Sequence, residues 1–154
     1  MTVKEKLASL NLSLPPVSGP FGAYVPARRV GNLIYVAGQL PMKDGKLMAM
    51  GQVPSRTSLE DARAAARQCV VNAIAAVQMI APDAVDSIAG VVRVGAFVSS
   101  DTSFTEQPKV ADAASELLTQ IFGDAGKHAR AAVGVNTLPR DASVEIEVIF
   151  EAKG

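Results

Sequence analysis

The spacing of apolar positions divides the chain into stretches of period three to four and stretches of period two. Val3, Leu7 and Leu10 share one side of a short helix over Val3 to Leu10, which the run Leu14-Pro15-Pro16-Val17-Ser18-Gly19-Pro20 follows with extended or turning chain. Tyr24 to Val30 predicts a strand, Gly31-Asn32 a two-residue turn whose glycine takes positive φ, and Leu33 to Leu40 the partner strand. A second turn is expected at Lys43-Asp44-Gly45-Lys46. Ser58 then stands where it can cap the strongest helical pattern, in which Leu59, Ala62, Ala66, Cys69, Ala73, Ala76 and Ile80 form one face. From Cys69 to Ile80 only Asn72 and Gln78 interrupt the apolar flanks, so this helix is expected to be buried on more than one side.

Ile88 to Val98 alternates, with Val92, Val94, Ala96 and Val98 on one side and Arg93, Gly95 and Phe97 on the other. Thr105 is placed to cap a second helix that has Pro108 in its first turn, Val110, Ala113, Leu117 and Ile121 as its inner stripe, and Gly123 as its end. His128 to Asn136 and Ser143 to Glu151 predict two strands around a turn at Leu138-Pro139-Arg140-Asp141. The order is ββαβαββ with a short leading helix, an α+β fold with its two main helices on one face of a mixed sheet. Residues 1–154 are expected to form one domain.

Composition narrows the chemistry. With 15 Lys+Arg against 15 Asp+Glu among 154 residues, the chain lacks the basic field that collects nucleic-acid phosphates. An apolar fraction of 49% excludes a disordered chain. Cys69 has no disulfide partner and reads as a core side chain, and one Cys with one His cannot supply a structural zinc site. The opening MTVKEKLASLNLSLPP interleaves acid and base, unlike a signal peptide or a membrane span, so a soluble cytoplasmic protein with no membrane partner is expected.

Alternation gives the last two strands two faces. Val133 and Val135, with Val144, Ile146, Val148 and Phe150, are expected to meet the helices. The opposite face then carries Arg130, Ala132, Gly134 and Asn136 from one strand and Glu145, Glu147, Ile149 and Glu151 from the other. If these strands form a hairpin with Val135 beside Val144, Gly134 lies beside Glu145. Two readings stand at this point: a solvated ion pair of Arg130 with Glu145 or Glu147, or an arginine left room for a ligand by its small neighbours. Leu33, Tyr35, Ala37, Gly95 and Phe97 make the rest of this outer face largely apolar, which favours an oligomer that covers it.

The run Arg130-Ala131-Ala132-Val133-Gly134-Val135-Asn136-Thr137-Leu138-Pro139-Arg140-Asp141-Ala142-Ser143-Val144-Glu145-Ile146-Glu147 closely resembles the R-x-x-V-x-V-x-x-L-P-x-x-x-x-V-E-I-E signature of the reactive-intermediate deaminase family, also called Rid, YjgF or endoribonuclease L-PSP. Gly22-Ala23-Tyr24 and Gly31-Asn32-Leu33-Ile34-Tyr35-Val36-Ala37-Gly38-Gln39-Leu40-Pro41 are similar to its G-x-Y and G-N-x-x-x-x-S-G-Q-x-P segments, and the resemblance runs from about Pro20 to Phe150. It implies a chorismate-mutase-like fold, a homotrimer with active sites between subunits, and hydrolysis of imines such as 2-iminobutanoate or 2-aminoacrylate to the 2-keto acid and ammonia, without metal or organic cofactor. Arg130 would hold the substrate carboxylate and Glu145 would activate water. Tyr24 would line the cleft from another subunit, with the Gly38 amide closing the pocket. Ala132 replaces the family's usual cysteine, Ala37 its serine and Gly134 a frequent glutamate, while Pro108 lies near its usual asparagine, so a wider and less polar pocket is expected.

Two other functions remain open from the sequence. One is a non-catalytic small-carboxylate binder using the same cleft. The other is an endoribonuclease, for which Arg28-Arg29, Arg63 with Arg67, and Lys127-His128-Arg130 would be the basic patches, although no aromatic residues interleave them for base stacking.

Overall fold

A computed structural model describes residues 1–17 and 21–154; Ser18, Gly19 and Pro20, which close the expected turning segment, lie outside the described residues. Helix α1 (Val3–Ser9) opens with a reciprocal cap, Thr2 accepting from the Glu5 amide while Glu5 accepts from the Thr2 amide, and it buries Val3 and Leu7 as expected. Strand β1 (Ala27–Val30) turns at Gly31, whose φ is +59°, into β2 (Leu33–Gln39). The first strand starts three residues later than the sequence predicts. Gly22, at φ +79°, turns the chain, and Pro26 contributes only its carbonyl, which accepts from the Ala37 amide. Tyr24 therefore sits in a bend before the sheet.

A small hairpin, β3 (Met42–Lys43) and β4 (Lys46–Leu47), closes over Asp44 and Gly45, both at positive φ. Ser58 caps α2 (Leu59–Ala76) by accepting from the Asp61 amide. Strand β5 (Ile88–Ser99) leads to α3 (Gln107–Phe122), β6 (Ala129–Val135) and β7 (Val144–Ala152). Glu106, not the expected Thr105, holds the N-cap position of helix α3 and makes no side-chain hydrogen bond there, while Pro108 stands in the first turn and Gly123, at φ +62°, ends the helix, both as expected.

The larger sheet has the order β1-β2-β7-β5-β6, with β5 and β6 parallel and the other pairs antiparallel. Strands β6 and β7 are not a hairpin. Helix α3 carries the chain from β5 to a parallel neighbour, and such a crossover puts β6 on the outer side of β5. The other side of β5 is then the place left for β7, where it also pairs with β2.

This topology reverses one face assignment. Val94, Ala96 and Val98, all buried under the helices, stand beside Arg130, Ala132 and Gly134, so those three face the helices. Val133, 44% exposed, belongs to the outer face, where the sequence reading had placed Arg130. The β7 assignment holds: Val144, Ile146, Val148 and Phe150 are buried, while Glu145, Glu147, Ile149 and Glu151 face outward. Val92 is also reversed, because an irregularity between Val91 and Arg93 turns it to solvent.

The core lies between this sheet and α2 and α3. Ala62, Ala65, Ala66, Ala73, Ala111 and Ala114 are fully buried, and their short side chains let the helices pack closely on each other and on the sheet. Cys69 is buried against the Val144 carbonyl, and that burial pushes its thiol pKa far above the usual thiol range. As a nucleophile it is inert.

Candidate functional site

Two groups of residues singled out from the sequence lie in different places. The first gathers around the end of β2. The β2–β7 register slips between Val36 and Gln39, leaving Ala37 and Gly38 as a bulge beside the outward side of β7. Glu145 lies across Gly38: a Cβ added there would come within 2.6 Å of the Glu145 Oε1. The carboxylate is half-buried, and its pKa is raised, first by burial and second by the neighbouring Glu147. Glu147 itself pairs with Arg93 at 3.6 Å.

Tyr24, Ala37 and Gly38 line an open groove of about 1000 Å³ between the segment before β1, the end of β2, the small hairpin and α2. Its α2 wall is fixed by Asn72, which donates to the Leu40 and Met42 carbonyls at 3.0 Å each and accepts from Gln68 at 2.9 Å. The sequence shows Asn72 only as a polar break in an apolar helix. Arg140 also lines the groove, from a backbone with φ +59°. Its recorded side-chain contact is with the Met42 sulfur at 3.7 Å, and nothing in its sequence context marked it.

The second group surrounds Arg130 on the edge strand β6. Its Nη1 donates to Asp112 Oδ1 at 2.9 Å and to Ser115 Oγ at 3.1 Å, both on α3. Neither Glu145 nor Glu147 is its partner, which removes the reading of a solvated cross-strand ion pair. Ala132 packs against the core, and Gly134 gives the start of α3 its room, since a Cβ there would stand 2.7 Å from Gln107 Nε2. Tyr24, Ala37 and Gly38 are thus brought together along the groove, Glu145 meets this set at Gly38, and Arg130 and Ala132 lie together on β6. Glu145 and Arg130 face opposite sides of the sheet.

The outer face carries exposed Val30, Tyr35, Val92 and Val133, an apolar surface of the kind expected from alternation. Several residues of the basic patches are engaged: Arg63 with Glu116 at 3.3 Å, Lys127 with Asp124 at 3.0 Å, and Arg29 with the Gly31 and Lys153 carbonyls. Among the described residues no three His, Cys, Asp or Glu side chains cluster to hold a metal, and no helix is long and apolar enough to cross a membrane.

Residues 4–151 match the family described as "YjgF/chorismate_mutase-like, putative endoribonuclease". Protein TCP17 of Trypanosoma cruzi is 37% identical over 97% of this chain and 93% of its own length. A 2-iminobutanoate/2-iminopropanoate deaminase of Dermatophagoides farinae is 32% identical over 90% of this chain and 92% of its own. The crystal structure of the protein Atu1372 with unknown function from Agrobacterium tumefaciens superposes with a TM-score of 0.88 at 39% identity, over 98% of this chain and 92% of that one.

Proposed function

The chain belongs to the YjgF/chorismate mutase-like family, and on that premise we propose that it hydrolyses small 2-imino acids to 2-keto acids and ammonia in clefts between the copies of a homotrimer. The observation that carries this reading is the half-buried Glu145 carboxylate, raised in pKa and laid against Gly38, a residue that lines an open groove. A carboxyl group tuned upward can take a proton and return it within one turnover. In this reading Arg130 comes from a neighbouring copy, because within one chain it faces the other side of the sheet.

The substrate carboxylate binds the planar fork of Arg130 by paired hydrogen bonds, which fixes the imine carbon in place. Glu145 accepts a proton from water as the oxygen adds to that carbon and passes it to the nitrogen, giving a neutral carbinolamine. It then takes the carbinolamine's hydroxyl proton and delivers it to the nitrogen as the C–N bond breaks, so that the carbonyl forms and ammonia leaves. Positioned acid–base catalysis of this kind supplies about 10²–10⁴-fold, with orientation by Arg130 supplying more. An imine needs no covalent nucleophile, so Ala132 and Ala37 leave the chemistry intact. 2-Iminobutanoate and 2-aminoacrylate are the substrates of this reading.

Keto-acid release from enzymatically generated 2-iminobutanoate tests it. Acceleration over buffer that is lost in Arg130→Ala supports the reading, and a wild-type rate equal to buffer removes it. The alanines at positions 37 and 132 favour a second reading, a carboxylate-binding homotrimer without turnover. Calorimetry with 2-oxobutanoate, showing Arg130-dependent binding in a protein that releases no keto acid, would select it. An endoribonuclease is disfavoured by the ion pairs that occupy Arg63 and Lys127.

A further inference from the structure

The contacts around Arg130 form a chain whose direction can be read from its end. His128 Nδ1 lies 2.6 Å from the Gly126 carbonyl oxygen, which can only accept, so Nδ1 carries the hydrogen. In the neutral ring Nε2 is then an acceptor, and Ser115 Oγ stands 2.9 Å from it. The Ser115 hydroxyl donates to His128, which turns its lone pairs toward Arg130 Nη1. One Nη1 hydrogen goes to Ser115 and the other to Asp112, so that nitrogen is fully used. Nε and Nη2 make no hydrogen bond to the described residues, although the side chain is only 23% exposed.

We propose that Asp112, Ser115 and His128 are positioning residues for Arg130: they lock Nη1 against α3 and present the Nε–Nη2 edge to the ligand's carboxylate. The inference rests on the reading of Arg130 as the carboxylate anchor. The two helix residues are one turn apart on the side of α3 that meets β6, so they reach the guanidinium together. An arginine free to rotate about its last bonds must be ordered each time it captures a ligand, whereas one held by Nη1 already points its paired donors outward. His128 makes no hydrogen bond to Arg130. It acts through Ser115, by fixing which way the hydroxyl points.

Arginine side-chain nitrogen spectra of the full-length protein read this directly. In the wild type, rotation about the Arg130 Nε–Cζ bond should be slow enough to separate Nη1 from Nη2. In Asp112→Asn, Ser115→Ala and His128→Ala the two signals should average. His128→Gln, which keeps an acceptor where Nε2 stands, should retain the separation. In keto-acid release the first three variants should lose about tenfold or more in kcat/KM, most of it as a raised KM, because the carboxylate anchor must now be ordered at each capture. His128→Gln should recover most of the kcat/KM. Unchanged Nη signals in all three variants overturn the proposal, and so do averaged signals with kcat/KM intact. If the wild type releases no keto acid, the deaminase reading fails by itself and the nitrogen spectra still decide the positioning. Should Asp112→Asn fold poorly, Ser115→Ala leaves every charge in place and carries the test alone.

Discussion

Arg130 and Glu145 stand on opposite faces of one sheet, with β5 between their strands: Arg130 lies beside Val94 under the helices and Glu145 beside Phe97 on the outer side. One small imino acid cannot touch both within a single chain. Arg130→Ala and Glu145→Ala should therefore each be inactive alone yet complement each other when unfolded and refolded as a mixture. If each cleft takes the two residues from different copies, random assembly restores about one quarter of wild-type activity. A mixture as inactive as its components would mean that the two residues do not meet across an interface.

Gly38 is the position where one methyl group should do most damage to the proposed chemistry. Its backbone has no positive φ, so alanine there is not strained by conformation, but the added Cβ would displace the Glu145 carboxylate. Gly38→Ala should keep its melting temperature within a few degrees while keto-acid release falls by about tenfold or more.

Glu145 also leaves a mark on stability. Its folded pKa lies above the ordinary carboxylate value, so the ionised form is less welcome in the folded protein than in the unfolded chain. Its contribution is fully present below the unfolded pKa and is lost as pH rises through the folded one. Glu145→Gln should thus melt higher than the wild type at pH 7, and the difference should shrink as pH falls through the raised folded pKa and be gone below about 4. The side chain is partly solvated, so the rise should be under about 3 °C. A Glu145→Gln protein that melts lower at pH 7 contradicts the burial argument.

Asn72 closes one wall of the groove by serving two carbonyls with one amide. Asn72→Leu leaves both without that donor and should cost about 1–3 kcal/mol in urea unfolding. The groove lining should loosen with it, seen as faster amide exchange around Met42. An unchanged unfolding midpoint would show that water replaces the amide at no cost.

Much of this architecture was legible from spacing. Ser58, the alanine stripe of α2, Gly123 and the Asp44-Gly45 turn each act locally, and local sequence carries local geometry. The two faces of β7 were also clear, because its alternating positions differ sharply in polarity. What alternation cannot show is which strands are neighbours. Strands β6 and β7 adjoin in sequence but not in the sheet, and the valines of β6 suggested an inward face that its pairing with β5 turns outward. An edge strand beside a closely packed helix puts small residues inward, Ala132 against the core and Gly134 under Gln107, so size reverses the usual reading of hydrophobicity. The Asp112, Ser115 and His128 contacts with Arg130 depend on the same α3–β6 approach, and no sequence spacing between a helix and a later strand predicts it. Tyr24 and Gly38 come from the family signature alone, whereas alternation already puts Ala37 and Glu145 on the outer face and the signature adds only their roles.

The place of β7 in the sheet order has a consequence for synthesis. It joins β2 on one side to β5 on the other, yet it runs from Val144 to Ala152, after every other strand of the sheet. A nascent chain that has emerged only as far as Ser143 holds a β1–β2 ribbon and a β5–α3–β6 unit with no strand between them. Both halves then show open hydrogen-bonding edges next to apolar surface, the combination that invites pairing with a neighbouring chain. The sheet can close only once Val144–Ala152 has been made and laid between β2 and β5.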